Sequence, residues 1–170
     1  MYLLDANVFI EAKNRHFGFD ICPGFWEWLV LRHQQGSVFS IAAVRDELLR
    51  GNDALTDWTR SLPDSFFLSP DQRAFPVLAM LSSWASSPAV RFTQAATADF
   101  LASADYLLAA QARAVGFIVV THELSNPASR RRVMLPDACL EIGVSTIGAY
   151  EFMRREGLRL ILDPTITRAR

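Results

Sequence analysis

The stretch Tyr2-Leu3-Leu4-Asp5-Ala6-Asn7-Val8-Phe9-Ile10 places a short apolar strand directly before a carboxylate, that of Asp5, and the start of a helix. Three more acids follow at comparable boundaries between predicted elements: Glu47, Asp105 and Glu123. Glu47 lies in the helix after an apolar strand, Asp105 opens a helix, and Glu123 comes just past another strand. Acids repeated at strand ends indicate a metal-ion site.

Repulsion between carboxylates is the physical reason for that expectation. Two carboxylates about 4 Å apart repel by roughly 4 kcal/mol at an effective dielectric constant near 20. A divalent cation reverses the sign of that interaction, and oxygen ligands favour hard ions such as Mg²⁺ or Mn²⁺ over zinc. The acids therefore predict phosphate chemistry supported by Mg²⁺ or Mn²⁺.

Apolar strands alternate with helices along the chain, which is typical of a parallel sheet covered by helices on both faces. Glycines fall just after several of the helices, where a left-handed C-cap is favoured. The predicted strands lie near 2–4, 37–40, 66–68, 117–120 and 144–146, and the predicted helices at 6–13, 23–35, 42–50, 52–61, 71–85, 93–101, 105–115, 137–142 and 147–156. We expect one α/β domain over residues 1–164 and a frayed tail at 165–170.

Ligands of open parallel sheets bind at the carboxyl ends of the strands. Asp5, Asp105 and Glu123 all fall at that edge in this prediction, although they are distant in sequence. We therefore expect the acids to lie close together in space.

Three ordered motifs resemble those of the PIN-domain nucleases. Asp5-Ala6-Asn7-Val8-Phe9-Ile10 resembles the opening motif, Val44-Arg45-Asp46-Glu47-Leu48 the second acidic motif, and Asp105-Tyr106-Leu107-Leu108-Ala109-Ala110-Gln111-Ala112 the third. The resemblance spans nearly the whole chain. It implies a three-layer α/β/α fold with a central parallel sheet of about five strands, and a metal-dependent endoribonuclease.

Four further segments resemble a narrower PIN-like family of unknown function that is associated with toxin–antitoxin loci. They are Glu11-Ala12-Lys13-Asn14, Cys22-Pro23-Gly24-Phe25-Trp26, Thr121-His122-Glu123 and Pro136-Asp137-Ala138-Cys139. This resemblance implies the toxin of such a pair, with RNA as substrate and a cognate antitoxin as partner. A catalytically silent PIN-like module that binds RNA or protein is the alternative.

Several acids have competing interpretations. Asp5 is also a possible N-cap, since Asp is common at that position. Asp46 is adjacent to Glu47 but points about 100° around the helix, so only one of the two can face the site. Glu47 could instead pair with Arg50 on the surface.

The third and fourth acids also have rivals. Asp99 competes with Asp105, and the small-residue helix after Asp105 favours Asp105. The fourth acid is Glu123 or Asp137, where Asp137 is equally a helix N-cap. We assign Asp5, Glu47, Asp105 and Glu123 as catalytic and metal-binding, with Asp137 as a further candidate ligand.

Other side chains near these acids are candidates for contacts with substrate. Thr121 could position water or phosphate, and the histidines lack metal-ligand spacing. The candidate substrate-binding residues are Asn7, Lys13, Thr121, His122, Arg130 and Arg131.

The bulk composition sets limits on these assignments. The chain has 170 residues, 51% apolar and 21% charged, which suffices for one buried core. A net charge of −1 argues against a nucleic-acid binder, although basic residues cluster locally. Two distant cysteines indicate neither a disulfide framework nor a zinc site. We expect no membrane span and a cytoplasmic location.

The helix containing Phe25-Trp26-Glu27-Trp28-Leu29-Val30-Leu31 is apolar on more than one face. A surface helix of a small domain cannot bury such a segment fully in its own core. We therefore expect it to meet a second copy in a homodimer, or an antitoxin.

Overall fold

The computed structural model describes residues 1–90 and 92–161. Five strands form one parallel sheet in the order β3-β2-β1-β4-β5. The strands are β1 Tyr2–Leu4, β2 Val38–Ile41, β3 Phe67–Leu68, β4 Ile118–Val120 and β5 Thr146–Ile147. The predicted five-stranded parallel sheet is confirmed.

Nine α-helices surround this sheet within the described residues. They are α1 Ala6–Glu11, α2 Pro23–Gln34, α3 Ala42–Leu48, α4 Ala54–Ser61, α5 Ala74–Ala85, α6 Gln94–Leu101, α7 Ala104–Val115, α8 Leu135–Glu141 and α9 Ala149–Arg155. A π-helical turn, Ala12–His16, continues α1, and a 3₁₀ turn, Asp64–Phe66, precedes β3. The arrangement is the three-layer α/β/α fold that the sequence predicts.

Helix α7 packs against the centre of the sheet because its inward face is uniformly apolar or small. It contacts β2 and β4, and Leu108, Ala109, Ala110 and Ala112 are all fully buried. Gly116 ends the helix with φ 74°, a left-handed conformation that glycine adopts without strain. This close packing fixes the first turn of α7, which carries Asp105, relative to the strand ends.

The strand order places a topological switch beside β1. From β1 the chain runs outward through β2 to β3, and it then returns to the other side of β1 at β4. Connections diverge at such a point and leave a crevice at the carboxyl ends of the strands. Asp5 follows β1 and Thr121 follows β4, so both residues border this crevice.

Some predicted boundaries are wrong, each for a local reason. The last strand lies at Thr146–Ile147 instead of 144–146, because the Val144 amide donates to the Cys139 carbonyl (2.8 Å) and closes α8. Helix α5 begins at Ala74 instead of 71, because Asp71 accepts a hydrogen bond from the Arg73 amide (2.8 Å) in a turn.

The prediction that one core cannot fully bury the apolar segment of α2 is confirmed only in part, because Leu31 is 48% exposed whereas the aromatic residues are largely covered. Phe25 and Trp26 are each only 2% exposed, and Trp28 is half-buried. Phe17 stacks on Phe25 at 4.4 Å, while Phe19 stacks on Trp26 at 4.0 Å. The turn after the π-helical segment therefore supplies the missing cover.

Two other expectations concern the extent of the fold. None of the helices in the described ranges combines the length and apolar character needed to cross a membrane. The predicted frayed tail, 165–170, lies outside the described residues.

Candidate active site

Asp5 is a buried carboxylate at the end of β1. It occupies the N-cap position of α1, but its side chain makes no capping hydrogen bond. Instead, the Thr121 hydroxyl donates to Asp5 Oδ2 at 2.7 Å, and Asp5 is only 4% exposed. Helix capping therefore does not explain this acid.

The Thr121 hydroxyl is the centre of a network that joins β1 to β4. Besides donating to Asp5, it accepts hydrogen bonds from Asn7 Nδ2 (3.0 Å) and from the Glu123 amide (3.0 Å). Asn7 Oδ1 in turn accepts from the His122 amide at 3.0 Å. The Asn7 side chain thus holds the two strand ends together, and Thr121 fixes the orientation of the Asp5 carboxylate.

The pKa of Asp5 shows that the four predicted acids share one site. Burial is the largest cause that raises this pKa from 3.8 to about 7, and the charge of Asp105 comes next. The Thr121 hydrogen bond lowers the pKa, while Glu123 and Glu47 raise it further. Asp105, Glu123 and Glu47 therefore each lie close enough to Asp5 to raise its pKa.

Asp105 lies in the first turn of α7, whose N-cap is Ser103. The pKa of Asp105 is raised to about 6, mainly by burial and then by the charges of Glu123 and Glu47, while Arg132 lowers it. Asp99, its rival, is exposed on α6 and does not perturb this pKa, although both acids line one cavity with Arg131 and Arg132. The geometry favours Asp105 over Asp99.

Glu47 reaches the cluster from α3. Both Glu47 and its neighbour Asp46 are exposed, but only Glu47 raises the pKa of Asp5 and of Asp105. The ion pairs of the described residues do not include Arg50, the surface partner that Glu47 could have used. Within the described residues, Glu47 therefore forms no ion pair, and its charge acts on both Asp5 and Asp105.

Glu123 is held firmly at the edge of the cluster. Its carboxylate pairs with Arg132 through one oxygen and accepts a hydrogen bond from the Leu135 amide (2.8 Å) through the other. Arg132 is thus the arginine that contacts the acids, whereas Arg130 and Arg131 are the arginines predicted from the sequence to contact substrate. Arg130 bonds the carbonyls of Pro127 and Ser129, so its guanidinium secures its own loop.

Asp137 binds a loop and does not contribute to the acidic cluster. It accepts hydrogen bonds from the Ser125 hydroxyl and from the Asn126 amide (3.0 Å), which fixes the loop after β4. It is absent from the charges that raise the pKa of Asp5 or Asp105. Of the two candidates for the fourth acid, the geometry favours Glu123.

Two other candidate substrate contacts, Lys13 and His122, have side-chain neighbours other than the four acids. The Lys13 ammonium pairs with Asp53 at 2.7 Å, and Asp53 also caps α4. His122 lies beside His16, with ring centroids 6.2 Å apart. The pKa of His122 is lowered, mainly by burial and also by His16, while the charge of Glu11 acts to raise it.

The carboxylate oxygens of the four acids are the type of ligand that a hard divalent cation prefers, but their positions are not those of a formed metal site. These carboxylates repel one another and are partly removed from water, which is the condition that a cation relieves. Within residues 1–90 and 92–161, however, no group of three or more His, Cys, Asp or Glu side chains is positioned to hold a metal ion. Glu123 is bound to Arg132 and Leu135 instead of turning towards Asp5.

The fold and the site define an α/β protein with a partly buried acidic cluster at the carboxyl edge of a parallel sheet. The chain belongs to the family described as "Domain of unknown function (DUF4411)", whose model matches residues 2–160. Neither a curated protein nor a solved structure matched the chain. The resemblance to PIN-domain nucleases therefore stays a prediction.

Proposed function

We propose that this protein is a Mg²⁺- or Mn²⁺-dependent endoribonuclease of the PIN-like type. The observation that carries the proposal is the gathering of four acids: the charges of Asp105, Glu123 and Glu47 raise the pKa of Asp5, and those of Glu123 and Glu47 raise the pKa of Asp105. Folding brings together charges that disfavour each other, although they come from four separate segments. Such an arrangement is typical of a site whose function needs concentrated negative charge.

Each residue has a definable role under this proposal. Asp5, Glu47 and Asp105 would hold the cation, and Glu123 would complete the set after release from Arg132. When bound, such a cation lowers the pKa of a water molecule for attack on phosphorus and stabilises the leaving 3′ oxygen. Thr121 keeps the Asp5 carboxylate in one orientation, and Asn7 holds β1 and β4 at a fixed separation.

A path for the phosphate backbone lies beside Asp105. Arg131 and Arg132 line the same cavity as Asp105, and both side chains are exposed. These local cations offset the net charge of −1, because they place guanidinium groups beside Asp105 for a phosphate to contact. The basic run thus supports RNA as the substrate.

The toxin role and the antitoxin partner rest on the resemblance. An exposed apolar groove offers some support for a protein partner, because Phe75 (62% exposed) and Leu107 (42% exposed) both line it. A homodimer remains part of the proposal and rests on Leu31, which is 48% exposed on α2, because Phe25 and Trp26 are buried in the protein's own core. Size-exclusion chromatography with light scattering measures the oligomeric state directly.

A catalytically silent module that binds RNA is the second candidate. The observation that favours it is the engagement of both Glu123 carboxylate oxygens by Arg132 and the Leu135 amide. A carboxylate so occupied contributes to a metal site only if Arg132 moves. If Arg132 stays in place, the protein would bind RNA without cleaving it.

A cleavage assay on a mixed RNA pool separates the two candidates. We expect cleavage in Mg²⁺ or Mn²⁺ and none in EDTA, with the activity abolished by Asp5→Asn, Glu47→Gln and Asp105→Asn. Matched controls are Asp46→Asn and Asp99→Asn, which remove similar charges outside the cluster and should retain activity. If Asp99→Asn silences the enzyme and Asp105→Asn does not, the third ligand is assigned wrongly.

A further inference from the structure

Three aromatic rings from separate segments meet next to the acidic cluster. His16 ends the π-helical turn, His122 follows β4, and Tyr150 lies in α9. The His16 ring centroid lies 6.2 Å from that of His122 and 5.7 Å from that of Tyr150, with the Tyr150 ring edge-on. His16 is exposed and Tyr150 is 47% exposed, so both rings present surface to a ligand.

Two of these rings, those of His122 and Tyr150, line a cleft of about 430 Å³ that also reaches the acids. Its lining includes Thr121, His122, Glu123, Gly148 and Tyr150. Thr121 bonds the Asp5 carboxylate, and Glu123 is itself one of the coupled acids. A molecule in this cleft, which we call the ring cleft, is therefore in contact with the edge of the acidic cluster.

The charge of the ring cleft selects against a phosphate group. Glu123 and Glu151 line it, whereas no Lys or Arg of the described residues does. Arg155 pairs with Glu151 at 2.6 Å and neutralises part of that charge. A neutral flat group suits this surface better, because its face can stack on the rings while its polar edge meets hydroxyl and carboxylate oxygens.

We propose that the ring cleft binds a nucleobase of single-stranded RNA by stacking on Tyr150 and His122, beside the acids that act on the phosphate backbone. This inference rests on the proposed function for its choice of RNA. The backbone runs past the arginines on the Asp105 side, and one base turns into the cleft. Stacking tolerates every base, because each base has a π face.

Binding of a short fluorescent oligoadenylate, followed by anisotropy in EDTA and low salt, tests the inference without any cleavage. We expect Tyr150→Ala to weaken binding by about tenfold, since loss of one stacking partner has effects of this order. Tyr150→Phe keeps the ring and should bind as the wild type does. Phe75→Ala removes a more exposed ring on α5, away from the cleft, and should have no effect.

An abasic oligomer of equal length separates base from backbone recognition. We expect it to bind the wild type more weakly than oligoadenylate does, and to bind Tyr150→Ala and wild type equally. Equal binding of oligoadenylate by wild type and Tyr150→Ala would overturn the inference, as would the absence of any binding by the wild type. His122→Ala removes the second ring of the cleft and should also weaken the binding of oligoadenylate, and unchanged binding by this variant would overturn the inference.

Failure of the inference and failure of the proposed function give different results. If the wild type cleaves RNA in Mg²⁺ or Mn²⁺ but Tyr150→Ala binds normally, only the ring cleft is refuted. If Tyr150→Ala weakens base-dependent binding but the wild type never cleaves, the ring cleft stands and the ribonuclease does not.

Discussion

Replacement of Asp105 by Asn should stabilise the metal-free protein at high pH. Burial and the charges of Glu123 and Glu47 raise the pKa of Asp105 from 3.8 to about 6. That rise corresponds to roughly 3 kcal/mol of folding free energy lost once the carboxylate is ionised. The value is an upper limit, because Asp105 keeps part of its contact with solvent.

The sign of the pH dependence follows from proton binding. Between about pH 4 and pH 6 the folded state holds the Asp105 proton more tightly than the unfolded state, so wild-type stability falls as the pH rises through this range. The penalty is complete at higher pH and absent below the unfolded pKa. We therefore expect the free energy of unfolding of Asp105→Asn to exceed that of the wild type by about 1–3 kcal/mol at pH 8. This difference in stability should shrink at pH 4.5.

Urea unfolding in EDTA at the two pH values measures this difference. Asp99→Asn is the matched control, and its stability should stay within about 0.5 kcal/mol of wild type. Millimolar Mg²⁺ or Mn²⁺ should stabilise the wild type by about 1–3 kcal/mol at ten to a hundred times the dissociation constant, and Asp105→Asn should lose most of that gain. Destabilisation of the apo protein by Asp105→Asn, with an unchanged metal response, would show that Asp105 is a structural residue.

Three further predictions concern the neighbours of the acids. Thr121→Val should lower the rate of cleavage and raise the pKa of Asp5, because the Asp5 carboxylate loses its hydrogen bond. Thr121→Ser keeps the hydroxyl and should behave as the wild type does in rate assays and carboxyl NMR titrations. Equal rates for both variants would contradict the positioning role of Thr121. Arg132→Ala should raise the pKa of Asp105 and move the activity midpoint to higher pH, and an unmoved profile would refute the contact. Asp53→Ala should lower stability by about 1 kcal/mol, because α4 loses its cap, and the rate of cleavage should not change. Asp53 also pairs with Lys13, so a loss of activity would indicate that Lys13 belongs to the site.

Much of the fold follows from local sequence signals. Short apolar runs such as Ile118–Val120 and glycines such as Gly116 mark where strands begin and helices end. The parallel sheet then gathers Asp5 and Glu123 at one edge, so the acids could be predicted without any knowledge of contacts. The positions that failed, including the last strand, depend on a single hydrogen bond that periodicity does not reveal.

The contacts around the acids were less predictable, because they join distant segments. Lys13 pairs with Asp53 forty residues along the chain, and nothing in the sequence around either residue indicates that pair. Arg132 meets Glu123 through the path of a loop. The bond between Asn7 and Thr121 did leave a signal, because both polar residues follow the ends of neighbouring strands, β1 and β4.

The most direct measurement is a time course of RNA cleavage in Mn²⁺ by wild type and by Asp5→Asn protein purified side by side. We expect the wild type to cleave, the reaction to stop when EDTA is added, and the Asp5→Asn protein to produce no fragments while it still binds RNA. Cleavage that continues in EDTA, or equal rates for the two proteins, would contradict a metal-dependent site built on Asp5.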